Sequence, residues 1–151
     1  MADTLEQINH DISICQRCEL RASATQPVPG LGQGNLKYYI LGEAPGRNED
    51  EVGMPFVGLA GQRLDRLIRL AKIDPNDCYL SNVCRCRPPD NRTPKKKEIK
   101  LCSDFVWREL KILRPETVIT LGATPLSLFK PDVGVSQVHG TSFEFELKEE
   151  E

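Results

Sequence analysis

The chain has 151 residues, 39% of them hydrophobic and 28% charged, with a net charge of −2. That length and balance suit one domain, residues 1–151, able to bury a core, and no stretch approaches the ~20 apolar residues of a membrane span. The N-terminal segment is acidic and lacks an apolar core, which argues against a secretory leader and for the cytoplasm, so the six cysteines are expected to bind metal, lie buried or do redox chemistry rather than pair as disulfides.

Residues 4–14 carry a weak helical period leading into Cys15. Cys15 and Cys18 form a C-x-x-C pair, a spacing that lets two thiolates grip one metal or cluster. A loop rich in proline and glycine follows over residues 26–34. Residues 37–42 are short, apolar and β-prone and read as a buried strand. It ends in a turn-forming loop, Gly42-Glu43-Ala44-Pro45-Gly46. The acidic run Glu49-Asp50-Glu51 leads to a second loop, Gly53-Met54-Pro55-Phe56-Val57-Gly58. A helix is expected from about 60 to 72, its apolar face formed by Leu64, Leu67, Ile68 and Ala71 at i, i+3, i+4 and i+7.

Asp74-Pro75 stops that helix, and residues 78–83 read as the next strand. Pro88-Pro89 forbids regular structure in the loop beyond it. Thr93-Pro94 reads as an N-cap with proline at the first helical position, opening a helix to about residue 113. Residues 117–122 read as a third strand, 125–129 as a short helix and 142–147 as a last strand. Strands alternating with helices imply an α/β fold with a mostly parallel sheet. Sites in such sheets form outside the carboxyl ends of strands, here the loops after Gly42 and Val83.

The charge is uneven. Residues 85–100 hold seven basic against two acidic residues, including Arg85, Arg87, Arg92, Lys95, Lys96, Lys97 and Lys100. Such a segment could neutralise several phosphates of a nucleic acid, or simply be a solvated face. Residues 144–151 hold five glutamates and one lysine.

The chemistry-bearing residues fall near these loops. Cys15, Cys18, Cys86 and Cys102 suit a tetrahedral zinc or an iron–sulfur cluster, and spacing alone does not choose; four unrelated buried thiols are the plainer alternative. Cys78 reads as core. Cys84, two positions from Cys86, is an alternative ligand. Glycines at a strand end let a ligand approach the backbone. That puts Glu43 in the crevice, where a carboxylate could position or activate water. Phe56 could stack on a base or plug the core. The Asn82 amide could present a donor and an acceptor to a base edge, or bond its own loop.

Taken together the strings are far more specific. Gly42-Glu43-Ala44-Pro45-Gly46 with Glu49-Asp50, then Gly53 with Pro55-Phe56-Val57-Gly58, then Ser81-Asn82-Val83 with Cys86-Arg87-Pro88-Pro89, closely resemble the family-4 (iron–sulfur) uracil-DNA glycosylases. Asn91-Arg92, Pro94 and Thr120-Leu121-Gly122 also fit, and the resemblance covers nearly the whole chain. It implies a three-layer αβα fold and hydrolysis of the N-glycosidic bond of uracil in DNA, the first step of base excision repair. It implies a structural [4Fe-4S] cluster on Cys15, Cys18, Cys86 and Cys102, with zinc the alternative. Phe56 would stack on the flipped uracil and Asn82 would read its edge. Backbone around Gly42, Glu43 and Ala44 would line the pocket, and Glu43 would hold the attacking water. Uracil-containing DNA is the expected partner of a cytoplasmic, monomeric protein.

The chain departs from the family in one motif. A His-Pro sequence near the C-terminus, whose histidine would stabilise the leaving uracil anion, has no counterpart; the two histidines are His10 and His139. His139-Gly140 resembles the segment upstream of that motif. The chain reads as shorter than the family's usual length, which makes a C-terminally truncated, catalytically weak DNA-binding module the alternative to an active enzyme. A zinc-stabilised α/β domain without a nucleic-acid role is the third reading.

Overall fold

Three short apolar runs pair into one parallel sheet. They are β1 (Tyr38–Gly42), β2 (Cys78–Asn82) and β3 (Thr117–Thr120), in the order β2-β1-β3. The fold is seen in a computed structural model, which describes residues 2–32 and 36–148. Residues 33 and 34 of the proline-glycine loop and the glutamates at 149–151 lie outside the described residues.

Side chains alternate between the faces of a strand, and the parallel register stacks like on like. Tyr39 pairs with Tyr79 and Val118, and Leu41 with Ser81. These residues face α1 (Leu5–Ser13) and α6 (Asp104–Leu113). Ile8 and Ile12 of α1 meet Phe105, Val106 and Leu110 of α6 there, in the larger of two cores. Thr4 caps α1 by accepting the Gln7 N–H at 3.1 Å. Arg108 of α6 donates to both Asp3 and Asp11, tying the two helices together.

The opposite face carries Ile40, paired with Leu80 and Ile119, and then Gly42, paired with Asn82. It is covered by α4 (Leu59–Leu70). Helices on both faces of a parallel sheet make the expected αβα layering. The buried stripe of α4 is narrow, formed by Gly61, Leu64 and Ile68. Leu67 is 61% exposed and Ala71 is exposed, so only half of the expected apolar face is used.

Several expected elements differ. The helix drawn to residue 113 is broken at Ser103 into α5 (Lys96–Cys102) and α6. Its cap is Lys95 rather than Thr93: the Glu98 carboxylate reaches back to accept the Lys95 N–H at 2.8 Å. The diproline loop holds one 3₁₀ turn, Pro89–Asn91, with Asp90 and Asn91 left-handed. A helix α3 (Arg47–Val52), which the sequence pattern did not announce, sits between Gly46 and the left-handed Gly53. Short helices α2 (Leu20–Ser23), α7 (Ala123–Phe129) and α8 (Val135–Val138) complete the fold. Residues 142–147 form no strand. Phe145 instead packs on Trp107 and Phe129, with ring centroids 6.2 and 4.9 Å away. Among the described residues no helix is long and apolar enough to cross a membrane.

Candidate functional site

Gly42 and Asn82 end β1 and β2 side by side, and Phe56 closes over them. A Cβ placed on Gly42 would stand 2.6 Å from Asn82 Oδ1 and 2.8 Å from Phe56 Cζ. Only glycine leaves that space between amide and ring. Asn82 is 6% exposed, and its Oδ1 therefore sits in a nearly closed corner. The two strand ends remain locked beyond the sheet proper: Val83 N–H donates to Gly42 O at 2.9 Å and Cys84 N–H to Glu43 O at 3.0 Å.

Phe56 is held in place by its surroundings. Its φ is +56°, a left-handed backbone that costs a non-glycine residue about 1 kcal/mol or more. Two features sustain it. Gly61 lets α4 approach so closely that a Cβ there would lie 1.8 Å from Phe56 O. The Glu49 carboxylate gathers three backbone N–H groups, Gly46 at 3.1 Å, Val57 at 3.0 Å and Gly58 at 2.6 Å. One side chain thus closes both glycine loops. Asp50, 5% exposed, accepts the Thr25 N–H at 2.8 Å and anchors α3 from the other side. The sequence marks these carboxylates as an acidic run and as part of the family resemblance, without this closing role. Their signal was position: an acid three residues beyond Gly46 can close a capping box.

Glu43 follows Gly42 out of the sheet, half-buried, with Ala44 packed against the α1/α6 core. Its Oε2 accepts the Thr124 hydroxyl at 2.6 Å. Gly42, Glu43, Ala44, Phe56 and Asn82 are therefore brought to the carboxyl end of the sheet. Below Phe56, a cleft of about 340 Å³ runs between α4 and β2, lined among others by Leu64, Ile68, Cys78 and Leu80.

On the other face, four cysteines converge. Cys15 follows α1, Cys18 precedes α2, Cys86 follows β2, and Cys102 ends α5. All four line one small cavity together with Arg17, Arg21 and Arg85. Among the described residues no group of three or more histidine, cysteine or acidic side chains is drawn in tightly enough to hold a single metal ion. Cys84 is fully buried but does not line the cavity; it lies against Cys102. The neighbouring Cys102 sulfur and its own burial hold it as a thiol. The adjacent Cys84 thiol, the Arg85 charge and the Arg85 N–H at 3.2 Å pull Cys102 down to about 7 despite burial. Burial pushes Cys86 up to about 12 and raises Cys18. Cys78 is core, as expected, in the cluster under α4.

The basic stretch is not one surface. Arg85 is 2% exposed and forms a two-pronged ion pair with Glu109, itself 0% exposed. Tyr39, Tyr79 and Ser81 donate their hydroxyls to the same carboxylate at 2.7, 3.1 and 2.9 Å. Burial alone would raise Glu109, but Arg85 and the hydroxyls hold it below its ordinary 4.5. Arg92 is paired with Glu98 through both nitrogens. What faces solvent is Lys95, Lys96, Lys97 and Lys100, with Arg87 half-buried and bonded to Asn91 Oδ1. Glu109 was not foreseen. It interrupts the apolar run Phe105, Val106, Leu110 on one helix face, the mark of a buried charge awaiting a partner.

Comparison with known proteins matches the family model of the uracil DNA glycosylase superfamily over residues 29–147. A type-4 uracil-DNA glycosylase of Sulfurisphaera tokodaii is 36% identical over 99% of this chain and 70% of its own length. One of Saccharolobus solfataricus is 42% identical over 85% of this chain, which spans 60% of that protein. One of Thermotoga maritima is 36% identical, with 95% and 76% covered.

Proposed function

The chain belongs to the uracil-DNA glycosylase superfamily and to its type-4 family, and from that premise we propose that it excises uracil from DNA as the opening step of base excision repair. The observation that carries the reading is the corner where Asn82 Oδ1 and the Phe56 ring meet over Gly42. A base inside a duplex cannot be reached there, so the nucleotide is extruded at a cost of a few kcal/mol. Stacking on Phe56 returns roughly 1–3 kcal/mol. Uracil presents two carbonyl acceptors around N3–H, and a side-chain amide complements part of that edge. Glu43 holds the water that attacks C1′ as the glycosidic bond breaks, and the bonding pair leaves with uracil N1. The exposed Lys95, Lys96, Lys97 and Lys100 supply attraction to phosphates.

The resemblance to the iron–sulfur glycosylases favours a [4Fe-4S] cluster at the cysteine cavity, with zinc the alternative. The donor set is four thiols around one cavity. A four-iron cube is larger than one tetrahedral ion and carries net negative charge with its thiolates. Arg17, Arg21 and Arg85 beside the cavity suit that charge. Cys15, Cys18, Cys86 and Cys102 would hold the cluster, which would act as a structural clamp. Cys84 is assigned a supporting role, donating its S–H toward Cys102. We assign residues 1–151 to one domain acting as a cytoplasmic monomer.

The test is release of free uracil from uracil-containing oligonucleotides, single- and double-stranded, by stoichiometric protein with its iron content measured. Free uracil and abasic DNA are expected, and Asn82→Ala should lower excision by about a hundredfold or more while DNA binding holds. DNA binding that weakens with salt but yields no abasic product would overturn the catalytic reading.

A further inference from the structure

We propose that Thr124 is a positioning residue for the Glu43 carboxylate, an inference that rests on the water-holding role given to Glu43 above. Thr124 is 6% exposed, and its hydroxyl donates to Glu43 Oε2 at 2.6 Å across 81 positions of sequence. An ionised carboxylate is acceptor-only, so the proton in this bond is the threonine's. The short distance is that of a charge-assisted O–H···O⁻ bond.

The fold brings the pair together deliberately. Leu121 N–H donates to Leu41 O at 2.9 Å, extending the β1–β3 pairing to the residue before Gly42. Gly122 then turns with φ +93°, where a side chain would be strained, and drops the chain into α7. Thr124, in the first turn, lands over the loop that leaves β1. Ser127 Oγ donates to Thr124 O at 2.6 Å and braces that turn.

The chemical consequence follows from the torsion of a carboxylate. Rotation about its last bond is broad, and a freely turning group presents either oxygen to a water. With Oε2 held by Thr124, Oε1 is the oxygen left for the nucleophile. As the water oxygen bonds C1′, its proton passes to Glu43 and the glycosidic electron pair departs with uracil. Thr124 touches neither substrate nor water, so its effect belongs in turnover rather than in substrate affinity.

The experiment uses the full chain. Thr124→Val removes the hydroxyl at nearly constant volume and should lower kcat for uracil release about 10- to 100-fold, the range for a hydrogen bond to a charged group. KM should move less than about 2-fold, and Thr124→Ser should restore most of the rate. In a Glu43→Gln background the same substitution should add less than about 2-fold. A Thr124→Val rate equal to wild type while Glu43→Gln is disabled would overturn this inference alone. A fully active Glu43→Gln would overturn the water-holding role of Glu43 and this inference with it. A crystal structure of Thr124→Val provides a readout independent of turnover. A Glu43 carboxylate in several orientations is expected there; one that keeps its present orientation overturns the inference.

Discussion

The two faces of the sheet are built from the same ten residues of β1 and β2, yet they do opposite things. The α1/α6 face takes Tyr39, Leu41, Tyr79 and Ser81 and buries them against the apolar faces of α1 and α6 and the Arg85–Glu109 pair. Its polar atoms are nearly all satisfied, Arg85 Nε being an exception. The α4 face takes Ile40, Gly42, Leu80 and Asn82, is covered by a narrow stripe, and keeps a cleft of about 340 Å³. The lesson is that a period of two assigns scaffold to one parity and the candidate site to the other. The proposed cluster lies on the densely bonded face, and the cleft lies on the other, touching the candidate corner through Phe56.

Four single substitutions and one double change would break or sharpen that contrast. The largest effect is expected on the scaffold side at the cysteines. Cys86→Ala should lose iron and sulfide to background and cost more than about 5 kcal/mol, because ligand binding is coupled to folding. Cys84→Ala should retain iron. Comparable iron loss in both would show that Cys84 ligates. Metal content and denaturant melts of the two proteins decide it.

Next is Glu109→Leu, which leaves Arg85 buried and unpaired and should cost about 3–5 kcal/mol. The double change Arg85→Met with Glu109→Leu should recover much of that loss. If the single change is neutral in urea melts, the pair is not what holds this face. The pH dependence has a definite sign. Glu109 is held below its ordinary 4.5 in the folded chain, so its stabilisation is fully present above that value. It is lost as pH falls through the folded value. Stability should be flat near neutrality and fall below about pH 4.5, and the Glu109→Leu part of that fall should disappear.

The smallest effect on stability is expected on the other face. Gly42→Ala places a methyl against Asn82 Oδ1 and Phe56 Cζ and should lower excision about a hundredfold. The overpacking should cost about 1–3 kcal/mol of stability, less than Glu109→Leu. A large loss of stability with normal kcat would mean that the corner is structural and the two faces are not divided as argued.

Much of this was legible in the sequence where one local rule decides. The three strands and the glycine-ended β1 follow from runs and turn residues. So did the meeting of the Gly42 loop and Asn82, since both end strands of a parallel sheet. What escaped depends on contacts far apart in the chain. Arg85 reads as one more cation in a basic run, and only Glu109, 24 residues on, turns it inward. Leu67 fits the helical period of α4 but stays 61% exposed, since nothing in the period itself says which half of the stripe meets the sheet. The expected strand at 142–147 alternates correctly, yet its phenylalanine finds Trp107 and Phe129 instead of a sheet edge. Thr124 carries no local mark at all; its meaning is a single bond to Glu43.

The spread of the cysteine quartet from Cys15 to Cys102 has a consequence for biogenesis. Cys15 and Cys18 leave the ribosome early, but their helix docks on α6, whose last residue is Leu113. Until that segment has emerged, the helix before the first thiols has no face to dock on. Assembly of the proposed cluster therefore waits for residues 104–113, and a nascent chain arrested before α6 is expected to carry an open, oxidisable pair.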